Sequence, residues 1–162
     1  YVAQAVGERY PLGLAGKLPD GHSHLFPDLR SYVRQLGLED TVRFIGPVEE
    51  DDKPALYRGA ACFVFPSRYE GFGLPPLEAM ACGTPVVAAE TSSLPEVVGD
   101  AGFLVDPDDA VKMAGAILGI LVQPELAEVL RQRGLAQAAR FSWEKTARAT
   151  LAVYSAVSLR CS

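Results

Sequence analysis

The chain has 162 residues, of which 49% are apolar and 22% charged, and its formal net charge is -5. This is the composition of an ordinary soluble globular protein, and no apolar run approaches the ~20 residues that a membrane-spanning helix needs. The excess of acidic residues argues against a broad nucleic-acid-binding surface. A single domain over residues 1–162 is therefore expected, in which an anionic ligand would need local hydrogen-bond donors.

The cysteines form no metal or redox pattern. Cys62, Cys82 and Cys161 are odd in number and lack CxxC spacing, so buried or incidental thiols in a cytosolic protein are expected. No signal peptide opens the chain, and its start at Tyr1 without Met suggests a fragment.

Short apolar runs alternate with helical patterns, which predicts a parallel α/β sheet. Residues 1–10 are expected to end a helix that leads into the first strand, and residues 26–36 show helical spacing before Gly37. The acids at 49–52, followed by Pro54, are typical of a helix start, which we prefer to a metal site. The predicted strands are LGLAGK (12–17), VRFIG (42–46), CFVFPS (62–67), PVVAAE (85–90) and GFLV (102–105).

The last third of the chain is predicted to be helical, over residues 111–122, 124–141 and 142–159. In the last helix, Ser142 can act as the cap, and an apolar stripe is expected to pack against the rest of the domain. The stripe consists of Trp143, Ala147, Leu151, Tyr154 and Val157.

The stretch FPSRYEGFGLPPLEAMACGTPVV (65–87) contains the strongest candidate for a site. Its EGFG segment follows a predicted strand and precedes a predicted helix, where open α/β sheets bind ligands. Gly71 and Gly73 let a ligand approach the main chain. Phe72, Gly73 and Leu74 keep amide donors near the positive end of the helix, which suits a diphosphate.

Two carboxylates flank this segment, Glu70 and Glu78. They would repel a phosphate, but a carboxylate can accept two hydroxyl protons from the vicinal diol of a sugar or a ribose. The predicted ligand is therefore a sugar, a diphosphate and a ribose in a row. From the residues alone, an equally good alternative is that Glu78 complements the helix dipole and Glu70 fills a turn.

FPSRYEGFGLPPLEAMACGTPVVA resembles the signature of the group 1, or family 4, retaining glycosyltransferases, which use nucleotide sugars and have the two-domain GT-B fold. With similar segments at 38–48, 57–67, 91–109 and 140–147, nearly the whole chain is similar to that family's C-terminal, donor-binding domain. The resemblance implies a Rossmann-like parallel sheet between helices, with a helical C-terminal end. It also implies glycosyl transfer with retention from a donor such as GDP-mannose or a UDP-hexose, without a metal or other cofactor. The acceptor, a lipid carrier, a glycan or a small metabolite, is not specified.

The resemblance also implies roles for individual residues. In that family the first glutamate lies by the transferred sugar and the second holds the ribose, which implies a catalytic role for Glu70 and ribose binding by Glu78. The intervening residues 71–74 would hold the diphosphate, and Gly46 and Val48 would line the base. Lys17, at the end of the first predicted strand, can also reach an anion, although a solvated lysine is an equally good interpretation.

The family's basic pair for the diphosphate and its acceptor domain would both precede Tyr1. The chain alone is therefore expected to bind donor weakly and to transfer no sugar. The strand that carries the pair would be central in the sheet, between strands 12–17 and 62–67. For the whole protein, a role in carbohydrate biosynthesis in the cytoplasm, or at the inner face of the membrane, is expected.

Several other polar residues have simple interpretations. His22 and His24 are expected in an exposed loop rather than at a metal. Arg68 is expected to pair with a surface acid, and Ser92 and Ser93 to cap the helix that follows them.

Two other functions remain open: a non-catalytic nucleotide-sugar-binding module, and a GT-B phosphorylase or epimerase. An upstream acceptor domain would argue against the first. The second predicts a pyridoxal-binding lysine or a different set of acids and histidines, which this sequence does not show.

Overall fold

The computed structural model describes residues 1–17 and 28–158, and it confirms the predicted alternation of strands and helices. The strands are β1 Leu12–Ala15, β2 Val42–Gly46, β3 Phe63–Phe65, β4 Val86–Ala89 and β5 Phe103–Val105. The helices are α1 Val2–Val6, α2 Leu29–Gln35, α3 Lys53–Gly59, α4 Leu74–Ala81, α5 Leu94–Val98, α6 Ala110–Val122, α7 Pro124–Ala138 and α8 Trp143–Ser158. A short 3-10 turn, Gly7–Arg9, connects α1 to β1.

The strands form two parallel sheets. β1 pairs with β2, from Leu12 opposite Val42 to Ala15 opposite Gly46. In the second sheet β4 lies between β3 and β5. Within the described residues no ladder joins β1 to β3, so the two sheets have separate edges. All strands still run parallel within their sheets, so their carboxyl ends and the loops that follow them lie at one edge of each sheet.

Local sequence explains where the helices begin. Asp28 accepts hydrogen bonds from the amides of Arg30 and Ser31 at the start of α2, as capping aspartates do. Asp109 accepts from the amide of Lys112 in α6. The predicted cap of α8 is confirmed, since the Ser142 hydroxyl accepts from the amide of Lys145.

The core surrounds β4, all four of whose residues are buried. One cluster packs between this strand and helices α4 and α5. Its largest fully buried members are Met80, Val86, Leu94, Val97 and Val98. A smaller cluster contains Val87, Val105, Ile120 and Leu130, and it packs β4 and β5 against α6 and α7. A strand buried on both faces reads as an uninterrupted apolar run, which is why VVAA was recognisable in the sequence.

Helix α7 packs closely against α4. The position that a Cβ on Gly134 would occupy lies 3.3 Å from Met80 Cγ, so the glycine lets the two helices approach closely. The Gln137 amide donates to the carbonyl of Val97 at 3.0 Å, and this side chain is buried. These contacts hold α4 and α5, the two helices that follow β3 and β4, in a fixed relation.

The expectation that the stripe on α8 packs against the domain is wrong. None of the residues of α8 is buried, and Trp143 and Tyr154 expose 79% and 68% of their surfaces. The helix is stabilised within itself, for example by the Arg148–Glu144 ion pair. The helical period was correct, but period alone does not determine whether a partner covers the apolar face.

The structure corrects the end of the first strand as well. β1 stops at Ala15 because Gly16 adopts a φ of +124, so Lys17 follows a bend after the strand rather than closing it. In the described part of the chain, no single helix has the length and apolar character to cross a membrane. The pair α6 and α7 passes that test only jointly, with a bend of 101° between them.

Candidate functional site

The EGFG loop, residues 70–73, lies between β3 and α4, as predicted. Hydrogen bonds join its main chain to the loop that follows β4. The Glu70 amide donates to the Ser92 hydroxyl at 2.9 Å, and that hydroxyl donates to the Glu70 carbonyl at 2.8 Å. The Ser93 hydroxyl donates to the carbonyls of Glu70 and Phe72, at 3.1 and 2.7 Å. The backbone of Glu70 is therefore fixed, while its half-buried carboxylate makes no hydrogen bond within the described residues.

This arrangement corrects the interpretation of Ser92 and Ser93 as helix caps. Ser93 is at the N-cap position of α5 but makes no side-chain cap hydrogen bond, because its hydroxyl is engaged with the EGFG loop. Ser92 has a φ of +48, in the left-handed region that is uncommon for residues other than glycine. That backbone conformation is the local cost of directing its hydroxyl toward Glu70. The contacts of the two serines join positions 21 to 23 residues apart, so no local pattern could reveal them.

Gly73 gives the loop its shape at the start of α4. It has a φ of +107, and a Cβ at this position would lie 2.8 Å from Leu94 Cδ2, a fully buried side chain. Both observations require glycine here. The next helical positions carry Pro75 and Pro76, which have no amide hydrogen. Within the described chain, none of the amides of residues 71 to 74 donates a hydrogen bond; residues 71, 72 and 74 are exposed, whereas Gly73 is buried.

Glu78 lies in the second turn of α4, and it is held by a residue that the sequence did not single out. The hydroxyl of Tyr57 donates to Glu78 Oε2 at 3.0 Å. Burial raises the pKa of Tyr57, and its hydrogen bond to Glu78 raises it further, so the phenol remains a donor. Oε1 of Glu78 has no hydrogen-bond partner among the described residues.

A cation lies within electrostatic reach of Glu78. Lys53 begins α3 and pairs with Glu50, and the hydrogen bond to Glu50 is the largest cause that raises the pKa of Lys53. The charge of Glu78 raises the pKa of this lysine further, while burial acts in the opposite direction. Helix α3 therefore contacts α4 through Tyr57 and Glu78, and Lys53 lies on the same helix.

The other predicted residues follow the strands of the first sheet. Gly46 ends β2 with a φ of +82, and its carbonyl accepts from the Gly16 amide at 2.8 Å. This bond brings the bend at Gly16, which precedes Lys17, beside the end of β2, and half-buried Val48 follows two residues after Gly46. In the described chain no hydrogen bond or ion pair joins Lys17 to Glu70 or Glu78. The structure thus places Lys17, Gly46 and Val48 near one another at the end of the first sheet. Among the described residues, no hydrogen bond links this group to the EGFG loop.

A shallow cavity of about 340 Å³ lies along the loops that follow β3, β4 and β5. The cavity is lined by Arg68, whose pairing with a surface acid was predicted. That pairing is confirmed, because the two terminal nitrogens of its guanidinium group donate to Asp108. Glu90 and Asp106 add two more carboxylates, so the cavity has an acidic excess that does not suit a phosphate. The full lining is Arg68, Glu90, Thr91, Asp106, Pro107 and Asp108.

Within residues 1–17 and 28–158, no group of three or more His, Cys, Asp or Glu side chains is arranged to hold a metal ion. His22, His24 and Cys161 lie outside the described residues. Cys62, directly before β3, is half-buried, and burial of its thiol raises the pKa to about 12, so the thiol is not a reactive one.

The fold and the loop define a class: an open parallel α/β domain with a glycine-rich loop at the carboxyl end of a strand, β3, at the edge of its sheet. Residues 7–137 match the family described as glycosyl transferases group 1, and the chain belongs to that family. The resemblance noted in the sequence is thereby confirmed.

Individual relatives agree with the family. The chain is 45% identical to the O-antigen chain mannosyltransferase B of Escherichia coli, over 90% of this chain and 37% of that protein. It is 42% identical to a D-inositol 3-phosphate glycosyltransferase of Acidothermus cellulolyticus, over 84% of this chain and 31% of that protein. Among solved structures, Anabaena Alr3699/HepE in complex with UDP and glucose superimposes with a TM-score of 0.79 and 25% identity. That match covers 96% of this chain and 44% of the Anabaena chain. The chain thus spans about a third of the length of the curated relatives that it matches.

Proposed function

We propose that this chain is the donor-binding half of a retaining glycosyltransferase, which transfers a sugar from a nucleoside diphosphate sugar to an acceptor. The observation that carries the proposal is the arrangement around the EGFG loop. Among the described residues, the amides of residues 71 to 74 donate no hydrogen bond, and the acids that flank them in sequence keep oxygens, those of the Glu70 carboxylate and Oε1 of Glu78, that accept none. Amide donors at a helix N-terminus suit the diphosphate, and carboxylates suit the hydroxyls on either side of it.

In this proposal the two acids have different tasks. Glu70 lies by the transferred sugar and accepts from its hydroxyls as positive charge develops at the sugar carbon. Its fixed main chain and free carboxylate fit that task, because only the side chain needs to adapt. Glu78 accepts from the ribose, and residues 71–74 hold the diphosphate. Gly46, Val48 and Lys17 form a second group, at the end of the first sheet, for the base or for an additional anionic contact.

Two comparisons support the donor class without fixing its identity. The Anabaena neighbour was solved with UDP and glucose, and the Escherichia coli relative is named as a mannosyltransferase. A uridine or a guanosine nucleotide is therefore the proposed leaving group. The acceptor is proposed to bind largely to the part of the protein beyond these 162 residues, since relatives are about three times as long. We propose a cytoplasmic site of action, and no metal or other cofactor.

The test is calorimetric titration of the chain with UDP, GDP and ADP, at one salt concentration, beside Glu78→Gln. Gln keeps the shape and can still accept from Tyr57, so its NH₂ group would face the diol and replace an acceptor with a donor. We expect one nucleotide to bind saturably and Glu78→Gln to weaken it by ~1 to 3 kcal/mol. Glu125→Gln is the matched control, because it removes the same charge from an exposed position at the start of α7. Equal affinities for wild type and Glu78→Gln would remove Glu78 from the ribose role.

We also propose that a strand from the rest of the protein joins the two sheets by pairing with both β1 and β3, and that basic residues near it complete the diphosphate site. The support is the sheet pairing, because among the described residues these two strands each keep an edge without a ladder. Amide hydrogen exchange in β1 and β3 should then slow in the longer protein relative to this chain. Unchanged exchange in both strands would contradict the added strand.

A further inference from the structure

Tyr57 connects the core of the domain to the candidate site. Its side chain is buried, and its ring lies edge-on to Phe63, with 5.2 Å between ring centroids and 89° between planes. Its carbonyl accepts from the hydroxyl of buried Thr84 at 2.6 Å. Both the ring and the backbone of Tyr57 are therefore fixed, and its hydroxyl has one defined direction, toward Glu78 Oε2.

The hydrogen bond has a consequence for the carboxylate. A glutamate side chain has several rotamers, and fixing one of them costs conformational entropy. If a ligand had to impose one rotamer, that cost would reduce its affinity. Here Tyr57 selects the rotamer beforehand by holding Oε2, so Oε1 and the second lone pair of Oε2 keep a constant direction.

We propose that Tyr57 is a positioning residue, whose hydroxyl sets the Glu78 carboxylate to receive the vicinal diol of a nucleoside ribose. This inference rests on the proposed function, in which Glu78 accepts from the ribose. It adds a residue from a different helix, α3, which the sequence analysis did not assign to the site.

A purely structural role for the hydroxyl predicts something different. In that case the bond to Glu78 satisfies the polar end of a buried phenol, and its loss changes stability but not ligand selectivity. A positioning role predicts a loss that depends on the ribose hydroxyls. The two are separated by a nucleotide that lacks those hydroxyls.

The experiment uses Tyr57→Phe, which keeps the ring against Phe63 and removes only the hydroxyl. UDP, GDP and ADP, each with its 2′,3′-dideoxy counterpart, are titrated into wild type and variant, and folding is checked by circular dichroism. We expect Tyr57→Phe to weaken the ribonucleotide that binds by about three- to tenfold. Binding of its dideoxy form should stay within about twofold, since no diol is left for Glu78 to receive. Tyr69→Phe is the control, because Tyr69 is 83% exposed and its hydroxyl makes no hydrogen bond within the described chain.

The variants also separate the inference from its premise. If Glu78→Gln weakens ribonucleotide binding but Tyr57→Phe does not, or if Tyr57→Phe weakens both nucleotide forms equally, the positioning role is overturned and the proposed function stands. If removing the ribose hydroxyls and Glu78→Gln both leave affinity unchanged, the ribose role of Glu78 fails, and the inference fails with it. A folded wild-type chain that binds none of the three nucleotides overturns both.

A double variant tests whether Tyr57 acts through Glu78, even if Tyr57→Phe is less stable than the wild type. In Tyr57→Phe/Glu78→Gln the two partners are changed together, and the second substitution should add almost nothing to the ribonucleotide loss caused by Glu78→Gln alone. Additive losses would show that the tyrosine acts on the ligand independently of Glu78, contrary to the proposal.

Discussion

The two sheets of this domain differ in how completely they are packed. In the second sheet, β4 is buried along its whole length, and two apolar clusters cover its faces. In the first sheet, three of the four residues of β1 are exposed, as are alternate residues of β2. The EGFG loop and both candidate acids are attached to the packed sheet, while Lys17, Gly46 and Val48 follow the exposed one. Stability and the better-defined half of the site thus belong to the same region.

The largest effect should separate the two sheets directly. Leu94 is fully buried beside β4, and its Cδ2 atom lies 2.8 Å from the position that a Cβ on Gly73 would occupy. Leu12 in β1 is 49% exposed. Leu94→Ala should lower the free energy of unfolding by ~2 to 5 kcal/mol, because it leaves a cavity. Leu12→Ala should cost less than ~1 kcal/mol, since half of that side chain already contacts water. Urea unfolding of both variants measures the difference, and similar losses would refute the contrast.

A matched pair of glycines sharpens the comparison. A Cβ on Gly102 would lie 2.7 Å from the carbonyl oxygen of Val86, a backbone atom of buried β4. A Cβ on Gly13 would lie at the same distance from Ile45 Cδ1, the mobile end of an exposed side chain. Gly102→Ala should therefore destabilise by ~1 to 3 kcal/mol, and Gly13→Ala by no more than ~0.5 kcal/mol. Thermal unfolding measures both, and a reversed order would show that the first sheet is the more tightly packed.

The smallest effect concerns pH. Burial raises the pKa of Cys62, directly before β3, from 9.0 to about 12. Between these values the unfolded chain loses the proton and the folded chain keeps it, so stability should fall as pH rises above ~9, by up to ~1.4 kcal/mol per unit from this group. Cys62→Ala should lose that part of the slope. Urea midpoints at pH 8 and pH 10 test this, and a stability difference between wild type and variant that does not change with pH would contradict it.

The sequence by itself determined the order of elements and the position of the loop. Uninterrupted apolar runs identified β4 and its neighbours, since a strand buried on both faces has no polar alternation. Glycine and proline around EGFG predicted a turn into a helix, and the φ of +107 at Gly73 confirms the need for glycine. Each of these features is local, because backbone conformation and burial leave a signal within a few residues.

Only the tertiary structure decided which residues fix the two acids and which apolar faces are covered. Ser92 and Tyr57 reach Glu70 and Glu78 across 22 and 21 residues, so their roles depend on how the loops and helices pack. The apolar stripe of α8 had the same period as a buried helix but is exposed, because period reports the shape of a face and not the presence of a partner. Hydrogen bonds and packing between distant segments depend on three-dimensional distance, which the order of residues along the chain does not specify.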